Sequence, residues 1–222
     1  MSLKKSLLTA LVAHLCLVAQ LHADMTAYGF KNITANNVNS AAIGEAQLSV
    51  QVNDVLGHTD QALFKFLNTG PEPCSITAAY FDDGALLGIA QLTSSSGVKF
   101  SEGANPPNLP GGNTVNFQVT KGFLADSDPP TQPNGVNPGE WLSVLFNLEN
   151  GMTYNDVINA ITLGLTQGAV DGSLRIGIHV QGYEGGLSES YVNCNVPAPA
   201  AVTLGMIGLG FIGVLQRRWI VS

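Results

Sequence analysis

Apolar residues recur at every second position in four separate segments of this 222-residue chain, and that period commits it to extended strands. In Ala46–Val52 the apolar members are Ala46, Leu48, Val50 and Val52. Val115, Phe117 and Val119 alternate with Asn116 and Gln118. Leu142, Val144, Phe146 and Leu148 obey the same rule, as do Leu174, Ile176, Ile178 and Val180. A strand sends successive side chains to opposite faces, so each segment buries one face and wets the other. Further strand candidates are Ala27–Thr34, Ala62–Asn68, Ser75–Phe81 and Leu86–Leu92. Glu102–Asn113 and Ala125–Gly139 are dense in Pro and Gly, which cannot continue a ladder, and read as surface loops. The expectation is an all-β fold, an antiparallel β-sandwich of eight or nine strands.

One segment has a different period. Thr153 caps a helix with Asp156 three places on, and Val157, Ile158, Ile161 and Leu165 share one helical face, with Gly164 or Gly168 to end it. A single short helix covering an end of a sheet is expected.

The two ends of the chain have their own composition. Met1–Ala23 reads as a secretory signal peptide: Lys4 and Lys5, an apolar run over Leu7–Leu21, and a small residue, Ala23, at the cleavage position. Signal peptidase is the implied partner. At the other end comes Val196-Pro197-Ala198-Pro199, then Ala200–Leu215, 16 residues without a charge, then Gln216-Arg217-Arg218. As a helix that run reaches about 24 Å, short of a hydrocarbon core of roughly 30 Å, so it spans the inner membrane by thinning it or by drawing in Trp219 and Ile220. The arginines keep the tail cytoplasmic and place the body outside. Gly208-Leu209-Gly210-Phe211-Ile212-Gly213 matches the dinucleotide fingerprint, but no acidic partner follows it. Its glycines suit close packing in a membrane helix.

Proline hinge, apolar run and arginine stop, in this order, resemble the PEP-CTERM sorting signal of Gram-negative bacteria. The residues that carry the resemblance are Val196, Pro197, Pro199, Ala200, Ala201, the Gly-rich run, Arg217 and Arg218; Ala198 stands where the signal's glutamate would be. The resemblance implies a substrate of exosortase, cut near the proline motif. The body would be held briefly at the inner membrane on its periplasmic side, then released to the cell surface or extracellular matrix, where hosts of this system make exopolysaccharide.

Between the ends, residues 24–195 suffice for one domain with a substantial core. They retain five of the nine Lys and Arg and all 16 Asp and Glu, a net charge of −11 against −7 for the whole chain. Nucleic acid is excluded as a partner for such a surface. Two body cysteines, Cys74 and Cys194, can pair in an oxidising compartment, for about 4–5 kcal/mol by the chain-entropy model.

Catalytic motifs are missing: there is no G-x-S-x-G, no H-E-x-x-H and no phosphate loop. No catalytic residue is assigned, and the chain reads as a non-enzyme. His179 is expected on a wet strand face with Arg175 and Gln181; a secreted hydrolase would have to join it to Ser188 or Ser190. Asp82-Asp83-Gly84 and Asp126-Ser127-Asp128 offer oxygen donors for a bracing Ca²⁺, which takes about six to eight ligands, so two aspartates make no site. No cofactor is assigned. Trp141 and Tyr183 are the aromatics that a sugar-stacking site would use. The sequence thus reads as a sorted matrix protein, with a glycan-binding module as the alternative and a hydrolase as the second.

Overall fold

The computed structural model describes residues 23–195 except Ala85, Asn105 and 126–131, and only the backbone of Gln132. The expected leader, the sorting segment and Asp126–Asp128 lie outside the described residues. Ten strands form: β1 Met25–Asn32, β2 Leu48–Val55, β3 His58–Asn68, β4 Ser75–Asp82 and β5 Leu87–Ser94, then β6 Phe100–Glu102, β7 Lys121–Ala125, β8 Trp141–Leu148, β9 Arg175–Gln181 and β10 Glu189–Asn195. Two helices join them, α1 Val38–Gln47 and α2 Tyr154–Gln167. All strand pairs are antiparallel, in the order β5-β8-β3-β2-β1-β10-β9-β4-β7-β6.

The all-antiparallel β character matches the expectation; the arrangement differs. One ten-stranded sheet bends round until it nearly closes, in place of two separate sheets. Its two edge strands, β5 and β6, are consecutive in the chain and separated only by residues 95–99. Aromatic residues from distant strands meet inside. Phe81 of β4 stands edge-on to Phe146 of β8 at 5.0 Å and to Phe64 of β3 at 5.2 Å, and Phe123 of β7 lies 5.8 Å from Phe146. Such edge-to-face pairs add about 0.5–1.5 kcal/mol each to their burial. Register shifts in β4 at Ile76/Ala78 and in β5 at Leu87/Ala90 mark bulges, which bend a strand and so help the sheet curl.

Alternation became burial in three of the four segments, except at Ala46, which lies in α1 and is exposed. Val50 and Val52 of β2, Val144 and Phe146 of β8, and Ile176, Ile178 and Val180 of β9 are fully buried. The Thr153 cap also formed: Asp156 accepts the Thr153 N–H at 2.8 Å, Val157 and Ile161 are buried, and Gly168 ends the helix.

The Val115–Val119 strand did not form. Gly112–Val115 is a 3₁₀ turn, Asn116 is left-handed at φ 52°, and Phe117 packs with Leu109, Ala78 and Tyr80 in a second cluster. Here the alternation lays a loop flat on the outer side of β4 and β9, with Val115 and Val119 packed against that cluster. The loop fits because Gly177 of β9 carries no side chain: a Cβ there would meet Leu109 Cδ2 at 2.7 Å.

The single-helix expectation also fails. Asn37 caps α1, its Oδ1 accepting from Asn39 and Ser40 N–H at 3.0 Å. The buried positions of α1 are Ser40, Gly44 and Gln47, which make no apolar stripe. Gly44 passes so close to the Tyr191 and Tyr183 hydroxyls that a Cβ has no room. Among the described residues no helix is long and apolar enough to cross a membrane.

β1 and β10 are neighbours, with Tyr28 opposite Asn195. The described chain therefore starts and ends on adjacent strands at one pole of the domain. Asp24, Asp54, the 55–58 turn and the start of α2 border a recess of about 340 Å³ at that same pole.

Candidate functional site

The residues singled out for chemistry fall into separate places. Tyr183 is only 3% exposed, and its hydroxyl lies 2.6 Å from that of Tyr191, which in turn donates to Ser40 O at 3.0 Å. Burial pushes both phenols well above their ordinary pKa. Tyr183 is thus a core residue and unavailable for stacking on a sugar. Its phenol is half of a pair that anchors the sheet to α1.

Trp141 is half-buried at the start of β8, on the outward side, with Lys65 Nζ 4.7 Å from its ring centroid. The structure does not bring Trp141 and Tyr183 together.

Cys74 and Cys194 form no disulfide. Cys74 joins the inner core, where Gln47 Nε2 lies 3.0 Å from its sulfur. Cys194 takes the outward phase of β10, two residues after Val192, which packs on the outer cluster. The sheet stands between the two thiols. Burial raises the pKa of both, so neither is a reactive thiolate.

His179 is not on a wet face with Arg175. Arg175 is buried and its Nη2 ion-pairs with Asp82 at 2.5 Å and also donates to the Asn116 carbonyl at 2.5 Å, while Nη1 donates to the Val115 carbonyl at 2.7 Å. It clamps the loop that covers the sheet. His179 Nδ1 lies 3.1 Å from Ser190 Oγ. Burial depresses the imidazole pKa, against the opposing pull of Glu189, and keeps the ring neutral. Ser190 is fully buried, out of reach of a substrate, while Ser188 accepts from Asn36 Nδ2 through its carbonyl. The pair therefore serves packing.

Asp82 is committed to Arg175, and Asp83 accepts from Leu87 N–H at 2.6 Å and from the Thr120 hydroxyl. Among the described residues no group of three or more His, Cys, Asp or Glu could hold a metal. Asp83 and Asp156 also border a cleft of about 510 Å³ beside α2. The Asp156 carboxylate is held by the Thr153 hydroxyl and N–H, which lower its pKa.

One residue that the sequence reading missed holds a large share of the polar structure. Glu189 is completely buried at the start of β10. Its carboxylate accepts from Asn32 Nδ2 at 2.9 Å, Thr34 Oγ1 at 2.5 Å, Asn36 N–H at 3.2 Å and Asn37 N–H at 2.6 Å. Burial pushes its pKa up, but these four donors outweigh it and hold the group below its ordinary value. Glu189 thereby fixes the turn that leads into α1. The only signal was the Asn/Thr-rich run from Asn32 to Asn37, which reads as an ordinary loop.

The outward side of β5, β8, β3, β2 and β1 is an ordered, partly exposed surface. Strand register aligns its residues into rows that run across the strands. Thr93, Ser143, Lys65 and Gln51 form a polar row. On one side of it lie Trp141, Leu67 and Ser49; on the other lie Gln91, Leu145, Leu63 and Asn53. Gln61 and Asn147 join through an amide hydrogen bond of 2.9 Å in the next row. Ser143 is buried under its neighbours, while Thr93, Gln91 and Asn147 are exposed and the leucines half-buried. No Asp or Glu stands on an outward position of these strands between Met25 and Gly29, Ser49 and Asn53, Gln61 and Leu67, Ile89 and Thr93, or Trp141 and Asn147. Compared with known protein families, with curated proteins and with solved structures, the chain and its fold match none.

Proposed function

We propose that this is an exported, non-catalytic protein of the cell surface or extracellular matrix, carried out by its signal peptide and sorted by exosortase through residues 196–222. The observation that favours this reading most is polar geometry. The described domain begins and ends on the adjacent strands β1 and β10 at one pole, so a body tethered through its C-terminal segment keeps its leader junction on the membrane side. The rest of the domain then projects away from the tether. The charge of −11 on the body, with all four terminal cations removed, suits exposure outside the cell.

A glycan-binding role is the second reading, and it rests on the open amide-rich face around Trp141. The hydrolase reading loses support, because its base and nucleophile meet only where Ser190 is buried. A phosphatase reporter fused after Ser222 tests the topology. It should be silent, and the same reporter fused after Asn195 without the tail should be active in the periplasm. An active reporter after Ser222 overturns the reading.

A further inference from the structure

We infer that the outward face of β5, β8, β3, β2 and β1 binds a neutral polysaccharide lying across the strands. The inference rests on the glycan-binding reading of this face and does not depend on how the chain is sorted. Each ring of a pyranose polymer carries hydroxyls at its edges and C–H groups on its faces. The protein face sets partners for both side by side. Its central row carries the Thr93 hydroxyl, the Lys65 ammonium and the Gln51 amide, and it is flanked by Leu67 and Trp141 on one side and by Leu63 and Leu145 on the other. Strands about 4.8 Å apart set the polar groups at a pitch near that of successive pyranose rings.

Charge selects the class of polymer. The described residues hold fourteen of the sixteen carboxylates, yet none stands on an outward strand position of this face; Glu45 of α1 borders it only at the Gly29 and Ser49 end, paired with Lys31. A carboxylate there would compete for water against each sugar hydroxyl that it faced. An acidic polysaccharide is disfavoured for the opposite reason: the body carries −11, and the one ammonium of the central row is already engaged with the Trp141 ring. The outward face of β4 and β9 is not open in this way, because the loop of Leu109 and Phe117 lies over it.

The test uses the full-length chain in detergent, titrated calorimetrically with a mixed-linkage glucan, a galactomannan and a dextran, with alginate as the acidic comparator. Saturable binding to at least one neutral polymer is expected, unchanged between low and high salt. Trp141→Ala should weaken it about tenfold and Gln51→Ala about fivefold, in line with the loss of one packed ring or one hydrogen bond. Val38→Ala, at an exposed site on α1, should leave it intact. Gln91→Ala is the second face variant, at an exposed position where folding is not at stake, and it should weaken binding several-fold. The inference is overturned if no neutral polymer binds, or if alginate binds more tightly and salt abolishes it. It is equally overturned if all three face variants bind like the parent, or if sedimentation shows a dimer that the face variants dissociate. None of these results touches the sorting proposal, which is read from topology and mass.

Discussion

Removing the Glu189 side chain should be among the costliest polar deletions in this domain. The carboxylate is wholly buried and takes four hydrogen bonds, two of them from the backbone N–H groups of Asn36 and Asn37. In Glu189→Ala the Asn32 and Thr34 side chains can turn towards water, but the two backbone donors are fixed by the turn. Each donor left without a partner costs about 1–3 kcal/mol, so a loss of about 3 kcal/mol is expected. For a domain of this size that lowers Tm by roughly 6–12 °C. The pH dependence follows from the depressed pKa of the folded state. The stabilisation is complete above the unfolded glutamate pKa of about 4.3 and is lost as pH falls through the lower folded value. Thermal unfolding followed by circular dichroism, on parent and variant at pH 7 and again near pH 3, gives both numbers. The gap between the two proteins should be large at pH 7 and narrower in acid, which isolates Glu189 from Asp156 and Glu45, whose pKa values are also lowered. A Glu189→Ala protein within about 0.5 kcal/mol of the parent at pH 7, or a gap that widens in acid, would refute the reasoning.

Three further outcomes are expected. Arg175→Met removes the Asp82 pair and the donors to Val115 and Asn116; it should cost about 3–5 kcal/mol and make the 112–118 segment the first site of limited proteolysis, read by mass spectrometry of the fragments. Gly44→Ala forces a methyl against the Tyr191 and Tyr183 hydroxyls and should destabilise by about 1–3 kcal/mol in chemical denaturation, while Ala42→Gly, on the same helix, should change stability by only about 1 kcal/mol. Alkylation of the unfolded mature chain without reductant should add two groups, one each at Cys74 and Cys194; a cross-linked Cys74–Cys194 peptide contradicts the opposite-face placement.

The fold was legible where one face of a strand is buried and the other wet. β2 and β8 have that form, with Gln51 and Asn147 outward and Val52 and Phe146 inward. β10 was not legible, because both of its faces are covered. Tyr191 points to the core and Ser190 lies under a loop, and the polar Glu189 and Asn193 are buried too, so no alternation of apolar and polar types survives. α1 escaped for a related reason: a helix that buries a serine, a glycine and a glutamine leaves no period to read. The alternation at Val115–Val119 misled because a loop pressed on a sheet needs apolar contacts at the same spacing as a strand. Closure of the sheet depends on which strands pair, and pairing is set by long-range packing such as Phe81 on Phe146, which local sequence does not encode. Of the candidate site, Trp141 was visible only as one of two aromatics on which a sugar could stack. The rows beside it exist only once register is known.

Sorting is tested most directly by the intact mass of the mature protein, isolated from its host and from a strain of that host lacking exosortase. The account predicts a chain beginning at Asp24 in both, shortened near Val196–Pro199 in the parent and retaining everything through Ser222 in the deletion strain. Equal masses in the two strains, or a chain that still starts at Met1, would contradict it.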